Sequence, residues 1–399
     1  FKKYKTTPTM EALKVMVDEV DNDVLKTSIV DSLRSAWTHR ESPDLDFVKE
    51  KSLEFCKNQV VKNAIMESVE LLESQKYDEI KTIIDDAMKA GIETDIGHEY
   101  ITGLEERLSK QTRVCLPTQW DSVNDLMDGG LAGGELGVIV APAGIGKSWT
   151  LQALGAHAVA KGKTVLHYTL ELNAQYVGLR YDTIVSGQPT GNLQYYKEEV
   201  LKKINQLKGN LIIKYYPTRS ASVATLTSHI QQCELQGIKP DMVLVDYADI
   251  MRSTVNFKEK RHSIGHVYEE LRGMAGEFDI PIWTASQANR SSLEEDVIDA
   301  SKVSEDYSKV MTADFIMSMS RKVEDKIANT GRFHVIKNRF GPDGLTFPAT
   351  INTNTGYIQI YEASTQEGKQ TQGKMDNAEE YMRKTLAQKK KDFDSEGFE

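Results

Sequence analysis

The stretch GELGVIVAPAGIGKSWT, running from Gly134 to Thr150, decides how the rest of the chain is read. An apolar run through Leu136, Val138, Ile139 and Val140 stops at Ala141, and a turn rich in glycine and proline leads to Lys147 and Ser148. Beyond it, Leu151, Leu154, Ala158 and Val159 fall on one face of a helix. Strand, loop and helix in that order make a phosphate cradle. Glycines let backbone N–H groups close around phosphate oxygens, a lysine reaches the terminal phosphates, and a hydroxyl holds Mg²⁺. The expected nucleotide contacts are therefore Ala143, Gly144, Gly146, Lys147, Ser148 and Trp149. One position departs from the pattern: Ala141 stands where a glycine is expected. The flanking strand and helix are what separate this motif from a turn that merely ends in Lys-Ser.

The 399 residues allow two or three domains. A net charge of −10 argues against a protein that coats nucleic acid non-specifically, so any nucleic-acid site must be local. Cys56, Cys115 and Cys233 are isolated, which provides neither a zinc site nor a disulfide framework and predicts a reducing, cytoplasmic setting. No run approaches the roughly 18 apolar residues of a membrane span, and the opening FKKYKTTPT lacks the apolar core of a signal peptide. No membrane partner is expected.

Taken in order, residues 1–90 read as a small all-helical domain. Met10, Leu13, Val17, Val20 and Val24 recur at spacings of three and four, as do Tyr77, Ile80, Ile84 and Ala87. The lone His39 beside Arg40 reads as solvated loop. Residues 91–117 read as a linker with a short amphipathic helix carrying Tyr100, Leu104 and Leu108, a stripe that must be buried on its own domain or on another copy. Residues 118–361 alternate apolar runs with helical segments, which predicts an α/β domain with a mostly parallel sheet covered on both faces. The expected strands are 138–140, 164–170, 211–216, 242–245, 280–285, 315–319 and 333–336, followed by a hairpin turning at Gly356. Residues 362–399 are polar and charged and read as a disordered or loosely helical tail.

Three further residues fit phosphate chemistry. Asp246 ends the run Met242-Val243-Leu244-Val245, where a carboxylate can share Mg²⁺ with Ser148. Glu171 ends the strand after the phosphate-loop helix and can orient a water toward a γ-phosphate, although a salt bridge would explain it equally well. Gln287 ends a further strand, where an amide can contact both γ-phosphate and adjoining loops.

In sequence order, GVIVAPAGIGKS, TLEL with Arg180 beyond it, MVLVDYADI, TASQANR and FHVIKNRFGPDG together resemble the ATPase domain of hexameric replicative DNA helicases of the DnaB type, the phage members in particular. The resemblance runs from about residue 95 to 361 and implies a RecA-like ATPase core using ATP and Mg²⁺. It gives Lys147, Ser148, Asp246, Glu171 and Gln287 the roles already set out, and implies that Arg180 stacks on the base. It further implies that Lys337 and Arg339 enter the neighbouring subunit's ATP site as an arginine finger does. As Lys-x-Arg at a strand end, both lie on the same side of the chain. Segments 253–261 and 290–309 match the family's loops that hold single-stranded DNA by its phosphates; they offer Lys258, Lys260, Arg261, Arg290, Lys302 and Lys309, with Leu293-Glu294-Glu295-Asp296 intruding.

What the resemblance implies as a whole is a homo-hexameric helicase moving 5′ to 3′ on single-stranded DNA. No primase module can be read, so a separate primase, and a loader, are implied as partners. A strand-exchange ATPase on the same core and a regulatory ATP switch are the alternatives, and the helical N-terminal domain with its linker helix favours the ring over the filament.

Overall fold

Strands built from uninterrupted Val, Ile and Leu must be covered on both faces, and that requirement organises the larger part of this protein. The computed structural model describes residues 26, 29–30, 45–73, 76–89, 100–109, 113–255, 257, 259–302 and 308–395. The chain divides into two units, residues 1–109 and 110–399.

In the first unit, helices α1 (Leu45–Glu73) and α2 (Tyr77–Lys89) pack against each other, and α3 (Leu104–Ser109) follows. Asp78 and Glu79 sit in the first turn of α2, where negative charge complements the helix dipole. Ala64 and Ala87 are buried, whereas Tyr100, Leu104 and Leu108 are exposed. The expected helix through Met10 to Val24, His39 with Arg40, and the break at Gly91 lie outside the described residues.

The second unit opens with β1 (Cys115–Leu116), α4 (Asp121–Leu126) and β2 (Leu131–Ala132), and β1 and β2 form a small antiparallel ribbon. Then come β3 (Leu136–Ala141), α5 (Lys147–Ala160), β4 (Thr164–Thr169), α6 (Ala174–Ser186), α7 (Lys197–Ile204), β5 (Asn210–Tyr215), α8 (Val223–Leu235) and β6 (Met242–Asp246). After these follow α9 (Lys260–Phe278), β7 (Ile282–Gln287), α10 (Ser308–Thr312), β8 (Phe315–Ser320), α11 (Val323–Ala328), β9 (Thr330–Asn338), β10 (Thr346–Asn352), β11 (Tyr357–Ile360) and α12 (Gln366–Ser395).

Nine strands form one sheet in the order β11-β10-β9-β8-β3-β7-β6-β4-β5. The strands from β8 to β5 are parallel, and β9, β10 and β11 add antiparallel to one side. Side chains alternate between the faces: Leu166, Tyr168, Val243 and Val245 pack toward α8 and α9, while Val165, Leu244, Ile139 and Trp283 join α5 on the other. Helix α5 lies close to the sheet because of Gly155, where a Cβ would run into the Tyr181 hydroxyl and stand 2.7 Å from Leu244.

The tail expectation needs correction. Residues 366–395 form α12, which packs on α11 and β10 with Thr371 and Met375 buried. Its inward positions also include Gly368, Ala378 and Met382, so the stripe has helical spacing but is made largely of small and polar residues. Hydropathy alone gives little sign of such a face.

Candidate nucleotide site

Parallel strands deliver their C-terminal ends to one side of the sheet, and four of the expected site residues arrive there together. Ala141 pairs with Gln287 across β3 and β7, and Thr169 pairs with Asp246 across β4 and β6, with Glu171 two residues further on. Gly146 turns the chain into α5 at φ 126°, a backbone that side chains rarely adopt, and no side chain caps the helix. The first amides of the 14-residue helix α5 are thus left for an anion. Ala141 is not among the described residues with positive φ, so the alanine at the pattern's first position strains nothing.

The result is a cleft of about 350 Å³ whose walls include Ala143, Gly144, Gly146, Lys147, Ser148 and Trp149 from the loop and helix. Glu171, Arg180 and Gln287 face the same space. The Lys147 ammonium donates to the carbonyls of Ala141 (2.9 Å) and Pro142 (3.1 Å). Burial lowers its pKa, against the opposing attraction of the Asp246, Asp249 and Glu171 carboxylates.

Asp246 is 1% exposed, and neither of its carboxylate oxygens has a hydrogen-bond partner. Burial pushes its pKa up to about 6, with the nearby Ser148 hydroxyl opposing the shift. An orphaned buried carboxylate beside a serine hydroxyl is a donor set that fits a hard divalent cation, which prefers oxygen ligands. Arg180 packs its guanidinium 4.9 Å from the Trp149 ring and 5.2 Å from that of Tyr176, with its Nε buried and unpartnered. These planar groups form one wall of the cleft.

Leu172, Tyr247 and Thr353 also line the cleft. Leu172 and Tyr247 adjoin expected site residues, but Thr353 belongs to the β10–β11 turn. Its sequence predicts the turn, while its place beside the phosphate loop depends on a pairing more than two hundred residues distant.

Lys337 and Arg339 stand elsewhere. Strand β9 runs against β8, so Lys337 pairs with Ile316 and Asn338 with Phe315, while Phe315 pairs with Gly137 near the start of β3. The pair therefore lies toward the opposite end of the sheet from the phosphate loop of its own chain. Arg339 contacts Asp314 at 2.7 Å, and Lys337 donates to the Met311 carbonyl at 2.7 Å. Burial, followed by Arg339, lowers the Lys337 pKa.

The expected DNA contacts divide. Lys258 and the side chains of Lys260 and Arg290 lie outside the described residues. Arg261 is exposed and paired with Glu259 at 2.6 Å, and Lys302 pairs with Glu295 at 3.1 Å. Lys309 requires correction: it is 1% exposed and bonded to Asp249 at 2.9 Å, so it is an internal cation and not a surface one. Its neighbours in sequence give no hint of this, because the partner Asp249 follows a different strand.

A glycine loop at the end of a central parallel strand, flanked by a buried carboxylate, a second carboxylate and an amide, defines a P-loop nucleoside triphosphatase. The model of the DnaB-like helicase C-terminal domain matches residues 115–354, and the chain belongs to that family, whose activity is ATP-dependent DNA unwinding. The chain is 25% identical over 367 residues to a DnaB-like replicative helicase of Enterobacteria phage T4, covering 85% of this chain and 76% of that relative. A solved helicase-type ATPase domain superposes with a TM-score of 0.56 at 18% identity, covering 66% of this chain and 97% of its own. A DnaB-like replicative helicase described with its interactions with primase gives 0.55 at 16% identity, covering 78% of each chain. At those identities the structural likeness concerns the fold, the RecA-like ATPase core. Neither the strand-exchange nor the switch alternative finds support. Among the described residues, no helix is long and apolar enough to cross a membrane.

Proposed function

We propose that this chain drives strand separation at a replication fork as a homo-hexamer that hydrolyses ATP while moving 5′ to 3′ on single-stranded DNA. One observation carries the assembly: the phosphate loop and the Lys337–Arg339 pair occupy opposite ends of one sheet, so a site containing both needs two copies of the chain. Lys147 and the amides opening α5 would bind the β- and γ-phosphates of ATP, and Ser148 with Asp246 would hold Mg²⁺, which neutralises charge on the phosphates when bound. Glu171 orients the attacking water, Gln287 reports on the γ-phosphate, and Arg180 with Trp149 forms the wall against which the base packs. Lys337 and Arg339 stabilise the transferring phosphoryl group of the neighbour's nucleotide.

Segments 253–261 and 290–302 are the loops we assign to DNA, with Arg261 and Lys302 as described cations. They hold it by phosphate contact, with little reading of sequence. The setting is cytoplasmic, and a separate primase and a loader complete the set of partners.

A forked-duplex assay tests the reading. Wild type should displace the strand with ATP and Mg²⁺, and Arg339→Ala should keep nucleotide binding while losing about 10³-fold in hydrolysis. Mixing Arg339→Ala with Lys147→Ala should restore part of the activity, because some mixed interfaces then carry an intact phosphate loop opposite an intact arginine. Rings that bind ATP but never unwind would sink the helicase role, and absence of rescue would sink the shared site.

A further inference from the structure

Gln287 is held by its backbone. Its N–H donates to Asp249 Oδ2 at 2.9 Å, and the same carboxylate accepts from the Ser286 hydroxyl at 3.1 Å and the Tyr268 hydroxyl at 2.8 Å. The fourth partner is Lys309, whose ammonium lies 2.9 Å from Asp249 Oδ1 and 3.2 Å from the Ser286 hydroxyl. Lys309 is 1% exposed and Asp249 10%, so the pair is shielded from solvent and works at low local dielectric. Breaking it would strand a buried charge.

The pair joins elements that sequence keeps far apart. Asp249 belongs to the turn that follows β6 and leads into segment 253–261, whereas Lys309 belongs to α10, beyond segment 290–302. Helix α10 has a second set of contacts: the Met311 carbonyl accepts from Lys337, and Asp314 just beyond the helix binds Arg339. One short helix thus touches both the support of Gln287 and the pair assigned to the neighbour's nucleotide.

We propose that the buried Asp249–Lys309 ion pair is a positioning element that couples Gln287, through helix α10, to Lys337 and Arg339. This rests on the functional reading above, in which Gln287 reports on one ATP and Lys337 and Arg339 serve the next. A shift of Gln287 on loss of γ-phosphate then moves Asp249, Asp249 moves Lys309, and α10 carries the displacement to the opposite end of the sheet. Neither residue touches nucleotide. Their work is done through the backbone they hold.

The test compares Lys309→Arg with the double variant Asp249→Asn, Lys309→Met, which removes both charges while the new side-chain amide oxygen can still accept from the Gln287 N–H. Lys309→Arg should stay near wild type, whereas the double variant should bind an ATP analogue normally, keep KM, and lose about tenfold in DNA-stimulated kcat. A double variant with wild-type kcat overturns the coupling. A second measurement uses the unmodified protein: amide exchange across residues 308–312 should slow when a non-hydrolysable ATP analogue binds without DNA, and unchanged exchange there overturns the link however the variants fold. A wild type that neither hydrolyses ATP nor responds to DNA would instead overturn the functional reading.

Discussion

At the C-terminal ends of the parallel strands, Asp246 is 1% exposed with neither carboxylate oxygen hydrogen-bonded, whereas near the opposite ends Asp314 is 2% exposed and fully engaged. Asp314 accepts from the Leu136 N–H at 2.9 Å, from Arg272 at 3.0 Å and from Arg339 at 2.7 Å. Equal burial therefore comes with opposite accounts of charge. Buried polar groups in folded proteins nearly always find partners, so an orphan marks a place where a ligand supplies the missing contacts. The satisfied carboxylate is a clamp that aims Arg339 outward from a fixed base.

The largest effect should come from neutralising the orphan. Asp246→Asn should lower Mg²⁺-dependent hydrolysis about 10³-fold, as loss of a metal-holding carboxylate does to phosphoryl transfer. It should also raise the stability of the nucleotide-free protein. The folded pKa of Asp246, about 6, lies above its ordinary 3.8, so the ionised form opposes folding at neutral pH. Removing that charge should stabilise by about 1–3 kcal/mol at pH 7.5, read from denaturant melts. A variant that lost both activity and stability would break the contrast between the two ends.

Asp314→Asn should behave in the opposite way. It strands Arg272 and Arg339 and weakens the anchor of β3 through the Leu136 amide. Both arginines are near 40% exposed, so water recovers part of the loss, and a destabilisation of about 1–3 kcal/mol is expected. Nucleotide affinity should hold in the same protein. An Asp314→Asn protein with unchanged stability would mean that the clamp carries no weight.

What could be read from sequence follows the same division. The phosphate loop, Asp246, Glu171 and Gln287 each sit where a strand ends, and strand ends are local features: an apolar run stops and a polar residue follows. The parallel arrangement of the sheet then gathers them without further information. Asp314, Asp249 and Lys309 could not be found in that way, because their meaning lies in partners from different elements. Lys309 in a charged segment looks like surface until α10 turns it inward. Helix α12 is obscured for a different reason, since its inward face is built on Gly368, Thr371 and Met375, where size rather than hydropathy allows close packing.

His167 sharpens the comparison with the smallest effect, because it is an orphan that no ligand reaches. It lies within β4, fully buried, with Nδ1 2.8 Å from the Tyr181 hydroxyl, the two rings edge-on at 84°, and Nε2 unpartnered. Burial pushes its pKa from 6.5 down to about 3. The unfolded chain therefore takes up a proton below pH 6.5 that the native protein refuses, and stability falls as pH drops from 6.5 toward 3. The slope from this residue is at most about 1.4 kcal/mol per pH unit. Asp246 titrates in part of that window with the opposite sign, so the quantity to measure is the difference between wild type and His167→Leu. That difference should shift in favour of the variant as pH falls from 6.5 to 4.5, and by the same amount with or without a bound ATP analogue. A pH-independent difference would mean that His167 is not held neutral by burial. A difference that changed with nucleotide would mean that the orphan at mid-strand, like Asp246, belongs to the ligand site after all.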